Sequence, residues 1–431
     1  MVRASRLESQ HGITAGFGPR YDPMTLKEMG EEEVVQESLG HGEESHWNGV
    51  EETINDPEEL RVIFSALDSF GQAFYALPQS HWQMLAAPPF SYLETLDRVD
   101  DAIESNAELA RTIVKFGLHS FGVADPNSNQ EPTVPEEWAG IAKHQDLDKA
   151  RSTIRQFYRD WSAAGAVERD ACYGPVFRAL EAEKARYPDR REMRILVPGA
   201  GLGRLVFELC RRGYLAEGNE ISYHQLLASS YILNSTETAE QHTIYPWIHT
   251  FSNHRSRETQ FKSYKIPDVH PQTTLSQTEN AGSMQMCAAD FLCLYGDDTH
   301  QDGYDAVAAV FFLDTAPNLI RYLQVIFKTL KPGGVLINVG PLLWHWENHV
   351  QGHHGYDGDG DYDENNSLGV ADPGSFELTD DEVIALVERI GFVVEKHETD
   401  REAPYVQDPD SMLRTVYRAS HWVARKPEMG S

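Results

Sequence analysis

The sequence is short of basic residues, of cysteine and of long hydrophobic runs. Its 37 Lys and Arg against 67 Asp and Glu give a formal net charge of −30. That sign is wrong for binding nucleic-acid phosphates, so no nucleic-acid partner is expected. No apolar run reaches the roughly 18 residues of a membrane-spanning helix, so no membrane partner is expected. The four cysteines form neither a disulfide framework nor a CxxC zinc pair, and this scarcity indicates a reducing compartment, the cytoplasm or the nucleus.

The length of 431 residues exceeds the roughly 150 typical of one domain, so several parts are predicted. Residues 1–45 are predicted to be an acidic, disordered tail, since the stretch from Glu31 to Leu60 has eleven carboxylates and no Lys or Arg. Residues 46–145 are predicted to form a helical lobe, because apolar residues recur there at helical spacing. Residues 146–427 are predicted to form the main domain, with loop inserts near 270–282 and 350–374.

The main domain alternates short β-rich runs with amphipathic segments, which is typical of a doubly wound α/β sheet. Seven strands are predicted, at Arg194–Pro198, Ala216–Glu220, Ser283–Cys287, Tyr304–Phe312, Val335–Val339, Val393–Lys396 and Ser411–Ala424. The run Asp357-Gly-Asp-Gly-Asp-Tyr in the second insert lacks the Gly that an EF-hand loop needs, and no metal site is expected.

A glycine-rich turn follows the first predicted strand. In Val197-Pro-Gly-Ala-Gly-Leu-Gly-Arg, glycines such as Gly199 and Gly201 let a ligand approach backbone N–H groups at the start of a helix. Glu220 ends the next strand, where its carboxylate would bind ribose hydroxyls. A dinucleotide fingerprint needs Gly or Ala in place of Arg204. The spacing therefore favours an adenosyl ligand, and an NAD-dependent oxidoreductase is the alternative.

Asp290 and Phe291 follow the third predicted strand, where a carboxylate beside an aromatic face could hold an adenine. Further on, Leu330-Lys-Pro-Gly-Gly joins a predicted helix to a strand. Glycine loop, acidic ribose partner, Asp-Phe and Lys-Pro-Gly-Gly in this order resemble class I S-adenosylmethionine-dependent methyltransferases. The resemblance implies a Rossmann-like seven-stranded methyltransferase sheet, here with an N-terminal helical lobe, and S-adenosylmethionine as cofactor.

Longer phrases resemble one family, the carnosine N-methyltransferases with an N2227-type domain, from about Glu43 to Pro427. The phrases are Arg151-Ser-Thr-Ile-Arg-Gln-Phe-Tyr-Arg-Asp-Trp-Ser, Glu168-Arg-Asp-Ala-Cys-Tyr, Leu196-Val-Pro-Gly-Ala-Gly-Leu-Gly-Arg, Gly218-Asn-Glu, Tyr245-Pro-Trp-Ile-His, Pro267-Asp-Val-His-Pro, Phe311-Phe-Leu-Asp-Thr-Ala and Gly340-Pro-Leu-Leu-Trp-His. This resemblance implies transfer of a methyl group from S-adenosylmethionine to an imidazole nitrogen of carnosine, a small dipeptide, to give anserine. It also implies a homodimer.

The resemblance carries functional positions onto this sequence. The positions that match cofactor contacts are Gln156, Arg159, Gly199, Glu220, Asp290 and Phe291, and Gly201 joins them from the glycine loop. The positions that match substrate contacts are Asp314, His345 and Tyr417. Tyr405, which precedes the last predicted strand, is a further substrate candidate. Asp314 and His345 are the expected catalytic residues.

Chemistry supports Asp314 independently. A neutral imidazole has one lone-pair nitrogen and one N–H, and alkylation of the first produces a cation unless the second loses its proton. A carboxylate after the fourth strand could accept that N–H and stabilise the charge. His345, after the neighbouring fifth strand, could bind the substrate or relay the proton. Two alternatives stay open: a methyltransferase for another histidine-containing peptide or a protein histidine, and a non-catalytic module that keeps the fold.

Overall fold

The computed structural model describes residues 13–14, 74, 76–120, 144–188, 192–347 and 374–428. Apart from two residues, the predicted acidic tail lies outside this set, as does all but the last residue of the insert predicted at 350–374. Within the described part, the helical lobe contains α1 (Gln79–Ala86) and the long α2 (Tyr92–Ser120). None of the described helices is long and apolar enough to cross a membrane.

The main domain is built on one mixed sheet. Its strands are β1 (Ile13–Thr14), β2 (Arg194–Pro198), β3 (Leu215–Glu220), β6 (Ser283–Ala288), β7 (Tyr304–Val310), β8 (Leu330–Gly340), β9 (Val393–Pro404) and β10 (Val416–Arg425), while β4 (His242–Ile244) and β5 (Tyr264–Ile266) form a separate hairpin. The order is β1-β6-β3-β2-β7-β8-β10-β9. Neighbours pair in parallel except β10, which is antiparallel to both β8 and β9.

All seven predicted strands are present, and the α/β prediction is confirmed. The sheet has the doubly wound, Rossmann-like arrangement, with strand order reversing beside β2 and an antiparallel strand near one edge. The last strand begins at Val416, five residues later than predicted, because residues 405–415 form its connection to β9.

Helices cover both faces of the sheet. They are α3 (His144–Trp161), α4 (Ala166–Arg186), α5 (Arg204–Arg211), α6 (Tyr223–Asn234), α7 (Arg257–Gln260), α8 (Pro271–Gln277), α9 (Phe291–Tyr295), α10 (Leu319–Thr329) and α11 (Asp380–Ile390). The prediction of a loop insert at 270–282 is wrong, because that segment contains α8. Leu275 of this helix is buried in the main core, so packing against the domain stabilises it. The polar residues around Leu275 give no helical pattern in the sequence.

Successive residues of the central strands enter opposite cores, as the two-residue period of a strand requires. On β8, Val335 and Ile337 join the apolar cluster that includes residues of α3 to α6. Leu336, between them, joins the cluster under α9, α10 and α11. Both faces of the sheet are therefore covered by apolar side chains. Each fully buried aliphatic side chain contributes about 1.5–3 kcal/mol to the stability of the fold. This rigid sheet fixes the positions of the loops at its carboxyl edge.

A neutral histidine joins the helical lobe to the main domain. The Asn106 side chain on α2 bonds both the N–H and the C=O of Tyr245, and its Nδ2 lies 3.3 Å from His249 Nε2. Nε2 can accept this hydrogen bond only in the uncharged ring. Burial, together with the charges of Arg151 and Arg155, lowers the pKa of His249 from 6.5 to about 3.

We expect this histidine to make the fold sensitive to acid. Below pH 6.5, His249 is protonated in the unfolded chain but stays neutral in the folded chain. The contribution of this histidine to the free energy of unfolding is therefore fully present above pH 6.5, and it falls by up to about 1.4 kcal/mol per pH unit as the pH drops. His249→Gln keeps an acceptor for Asn106 and should flatten the decline between pH 6.5 and 5 in urea unfolding. His119→Gln, at an exposed position of α2, is the control. An unchanged slope in the His249 variant would contradict the assignment.

Candidate active site

A cavity of about 460 Å³ opens at the carboxyl edge of the sheet, below α3. In a doubly wound sheet this edge, where the strand order reverses, is the usual place for a ligand. Nine of the eleven predicted site residues line the cavity: Gln156, Arg159, Gly199, Gly201, Glu220, Asp290, Phe291, His345 and Tyr405. They come from α3, from the end of β3 and from the segments that follow β2, β6, β8 and β9.

The glycine loop between β2 and α5 forms the floor of the cavity. Gly199 and Gly201 have φ of +64° and +56°, in the left-handed region that other residues rarely adopt. A Cβ atom on Gly199 would also lie 2.8 Å from Phe312 Cδ2. Both the backbone conformation and the close approach of Phe312 therefore require glycine at Gly199.

Glu220 holds the glycine loop against the end of β3. Its Oε2 accepts from the Gly201 N–H at 2.8 Å, and its Oε1 accepts from the N–H groups of Ile221 and Ser222 at 2.9 Å. Burial raises the pKa of Glu220, and the N–H groups of Ser222, Gly201 and Ile221 offset part of that rise. The carboxylate thus organises the loop and faces the cavity at the same time.

Asp290 and Phe291 begin the helix that follows β6. Asp290 is the N-cap of α9, with Oδ1 accepting from the N–H groups of Leu292 and Cys293. The Phe291 ring lies 5.4 Å from the rings of both Phe312 and Tyr322, measured between centroids. All three rings line the cavity, so this end has an aromatic wall with a carboxylate beside it.

Helix α3 contributes polar groups to the roof. Ser152, Gln156 and Arg159 lie four and three residues apart, on one face. Gln225 Nε2 on α6 donates to Gln156 Oε1 at 3.0 Å. The Arg159 guanidinium bonds both carboxylate oxygens of Asp160, at 2.7 and 2.8 Å, and this two-point contact fixes its orientation.

Arg204, whose presence argues against a dinucleotide, has a structural role. Its guanidinium lies 4.9 Å from the Trp161 ring and donates to the carboxylates of Asp268 and Glu208. It also donates to the Asp160 backbone oxygen at 2.8 Å. The position after the last glycine therefore ties α5 to α3 and stabilises the roof of the cavity.

Asp314 and Tyr417 do not line the cavity, although their neighbours do. Asp314 is 2% exposed and lies in the chain between Phe312 and Thr315, two residues that line the cavity, and its Oδ2 accepts from the Leu343 N–H at 3.0 Å. Its backbone oxygen accepts from the His345 N–H. Burial raises the pKa of Asp314, and the Leu343 N–H and the nearby His345 offset part of the rise.

Three aromatic rings close the other side. Phe311 stacks on Tyr405 with centroids 5.0 Å apart, and Tyr417 meets both rings edge-on at 5.9 and 5.8 Å. Burial raises the pKa of Tyr417, and the nearby Tyr405 and Asp314 raise it further. Phe311 and Tyr405 line the cavity and Tyr417 lies close to Asp314, so the aromatic cluster of Phe311, Tyr405 and Tyr417 joins the cavity to the surroundings of the buried carboxylate.

The comparisons with known proteins agree with this geometry. A family model described as carnosine N-methyltransferase matches residues 136–428. The chain is 34% identical to the carnosine N-methyltransferase of Mus musculus over 82% of this chain and 80% of that one. It is 33% identical to that of Schizosaccharomyces pombe over 86% and 97%.

The chain belongs to the carnosine N-methyltransferase family. This confirms the resemblance drawn from the sequence. Among solved structures, the Burkholderia thailandensis 1,6-didemethyltoxoflavin-N1-methyltransferase with bound S-adenosylhomocysteine is 16% identical and covers 71% of this chain and 100% of that one, with a TM-score of 0.33. The assignment of the fold rests on the strand order and not on this likeness.

The cavity of this family member fits S-adenosylmethionine. The left-handed glycines leave room for a ligand against the backbone, and Glu220 can accept hydrogen bonds from ribose hydroxyls. The Phe291 wall suits an adenine ring with Asp290 beside it. At the other end, the Arg159 guanidinium suits a carboxylate. In the part of the chain that the structure describes, no group of three or more potential ligands could hold a metal ion.

Several lining residues escaped the sequence reasoning. They are Ser152, Asn219, Ile221, Ser222, Gln225, Val310, Phe311, Phe312, Thr315 and Tyr322. Some of them lie inside the phrases that resemble the family, but those phrases did not indicate a ligand contact for these particular residues. Gln225 and Tyr322 carried no signal, because only the packing of α6 and α10 brings them to the cavity.

Proposed function

We propose that this chain transfers a methyl group from S-adenosylmethionine to an imidazole nitrogen of carnosine and so produces anserine. The observation that carries the proposal is a buried carboxylate, Asp314, close to His345 and Tyr417 and adjoining a cavity suited to an adenosyl ligand. The named activity of the relatives from mouse and fission yeast supports the same acceptor.

The acceptor needs a group that receives positive charge. The imidazole nitrogen without hydrogen supplies the electron pair, while the other nitrogen carries an N–H that becomes more acidic as the ring becomes cationic. The Asp314 carboxylate is proposed to accept that N–H, which selects the reactive tautomer and stabilises the imidazolium. His345 lines the cavity nearby and is proposed to bind the acceptor or to pass the proton to solvent.

The methyl donor is proposed to be held by the residues of the opposite side. S-adenosylmethionine, when bound, supplies an electrophilic methyl group on a sulfonium. Glu220 would bind the ribose, Asp290 and Phe291 the adenine, and Gln156 and Arg159 the amino-acid end. Aligning the two reactants can lower the activation barrier by up to about 7–11 kcal/mol. A positioned proton acceptor typically accelerates a reaction by about 10²- to 10⁴-fold, which corresponds to a smaller lowering of the barrier. Positioning is therefore the main contribution of the protein.

The test is transfer of labelled methyl from S-adenosylmethionine by the purified protein. Carnosine, free histidine, other histidine-containing peptides and a protein histidine should be compared at equal concentration, with cofactor binding measured separately. We expect methylated carnosine to form with the highest kcat/KM. Bound cofactor with no methylated carnosine would overturn the proposed acceptor, and transfer to one of the other compounds would identify its replacement.

Assembly and location are further proposals that follow from the resemblance and from the cysteine content. We propose a homodimer in the cytoplasm or nucleus. Sedimentation equilibrium of the full chain checks the first, and imaging of a tagged chain checks the second.

A further inference from the structure

The connection between β9 and β10 has a strained backbone next to the cavity. Val406 has φ of +47°, a left-handed conformation that is a genuine outlier for a β-branched residue. It directly follows Tyr405, whose ring lines the cavity. A residue in such a conformation persists only when its surroundings hold it, and such residues concentrate at functional sites.

Glu168 is the group that holds this backbone. Its Oε2 accepts from the Val406 N–H at 2.9 Å, and its Oε1 accepts from the Gln407 N–H at 2.6 Å. Two successive N–H groups beside a left-handed residue form a concave anion site, and here a carboxylate of the same chain, 4% exposed, occupies it. The contact joins residues that are 238 positions apart.

Glu168 reaches the loop from a fixed support. It lies in the first turn of α4, where the helix dipole favours a negative charge. The far end of the same helix is anchored to β10, because Glu183 accepts two hydrogen bonds from Arg425, at 2.6 and 2.9 Å. Burial raises the pKa of Glu168, and the N–H groups of Gln407 and Val406 offset part of the rise.

The loop in turn holds the Tyr405 ring. That ring stacks on Phe311, which has φ of +53°, and lies 5.6 Å from the Arg159 guanidinium carbon. Two strained residues, Phe311 and Val406, therefore flank an aromatic contact in the wall of the cavity. Release of the Val406 N–H would let the backbone relax and would move the ring.

We propose that Glu168 is a positioning residue that holds Tyr405 at the acceptor side of the cavity by binding the Val406 and Gln407 N–H groups. The proposal rests on the proposed function in so far as the ring contacts carnosine. Glu168 itself does not touch the acceptor; it acts through the loop. Its carboxylate accepts hydrogen bonds from the Val406 and Gln407 N–H groups and not from a predicted cofactor contact.

The kinetic test separates acceptor from cofactor. Glu168→Ala should raise KM for carnosine by at least about 10-fold, since two hydrogen bonds to a charged group are lost. The same variant should change the affinity for S-adenosylmethionine by less than about twofold, measured by calorimetry. Glu168→Gln keeps one acceptor oxygen and should lie between the wild type and the Ala variant. Equal loss of acceptor and cofactor binding would overturn the proposal.

A matched control addresses stability. Glu183→Gln alters another buried carboxylate of α4, one bound to Arg425 and remote from the cavity. It should lower the melting temperature without raising KM for carnosine. If Glu183→Gln raised KM as much as the Glu168 variants at equal melting temperature, the effect would come from instability and the proposal would fail.

Hydrogen exchange tests the contact without any turnover. In the full-length wild type, the amides of Val406 and Gln407 should exchange slowly, and in Glu168→Ala the peptide covering 405–411 should exchange at least about 10-fold faster. Unchanged exchange would overturn the role of Glu168. Faster exchange in the variant, together with no methylation of carnosine by the wild type, would confirm that Glu168 holds the Val406 and Gln407 N–H groups and would overturn the proposed acceptor.

Discussion

Replacing Asp314 by Asn should lower kcat/KM for carnosine by about 10²- to 10⁴-fold, the range expected for loss of a positioned proton acceptor. The amide oxygen can still accept from the Leu343 N–H, which now bonds the carboxylate. In the proposed mechanism the other carboxylate oxygen receives the imidazole N–H, and in the variant an amide NH2 group would take its place and oppose that N–H. Because the side chain at this position is only 2% exposed, replacing the mismatched contact by a hydrogen bond to water is costly.

The control for this variant is Asp305→Asn at the opposite end of β7. Asp305 is as buried as Asp314, and it accepts from the Arg194 N–H at 2.9 Å and from Lys331 at 2.8 Å. Its replacement should lower stability and leave kcat/KM within about twofold. Cofactor affinity should be unchanged in both variants. If Asp314→Asn kept at least half of the wild-type kcat/KM, Asp314 would not be the acceptor of the imidazole proton.

Replacing Glu220 by Ala should weaken S-adenosylmethionine binding by at least about 100-fold, because hydrogen bonds to a charged group are worth about 1.5–3 kcal/mol each. The substitution removes the acceptor for the N–H groups of Gly201, Ile221 and Ser222, and it removes the proposed ribose partner. The glycine loop would lose its tie to β3. Isothermal titration with the cofactor measures the effect directly.

A second carboxylate on β3 separates this effect from general destabilisation. Glu217 is also buried, and it accepts from the Tyr295 hydroxyl at 2.7 Å and from Gln285 Nε2 at 2.6 Å, away from the cavity. Glu217→Ala should lower the melting temperature while cofactor affinity stays within about twofold. If the two variants lost the same cofactor affinity, the loss would come from destabilisation of β3 and not from the missing hydrogen bonds of Glu220.

The strands could be predicted because their signals are local. Buried parallel strands are rich in Val, Ile, Leu and Ala, as at 306–310 of β7 and 335–339 of β8. Helix α8 and the hairpin of β4 and β5 could not be found in this way. They are short, and burial of a few side chains such as Leu275 and Ile266 against the rest of the domain decides their conformation.

The site was predictable to the extent that its residues follow a strand or repeat on one face of a helix. Glu220 ends β3 and Asp290 closely follows β6, while Gln156 and Arg159 share a face of α3. The dependence of Tyr405 on Glu168 was not predictable, because it arises from two backbone N–H groups and a left-handed valine. Such a contact leaves no pattern in the residues of either segment.

The cavity walls come from segments between Ser152 and Tyr405, and its acceptor side needs β10, which inserts between β8 and β9. No shorter stretch of the chain contains the complete binding surface. Ligand binding is therefore coupled to folding of the whole domain. Cofactor at 100 times its Kd should add about 2.7 kcal/mol to the free energy of unfolding of the entire domain. The concentration of the cofactor then sets the stability of the folded chain as well as the rate of methyl transfer.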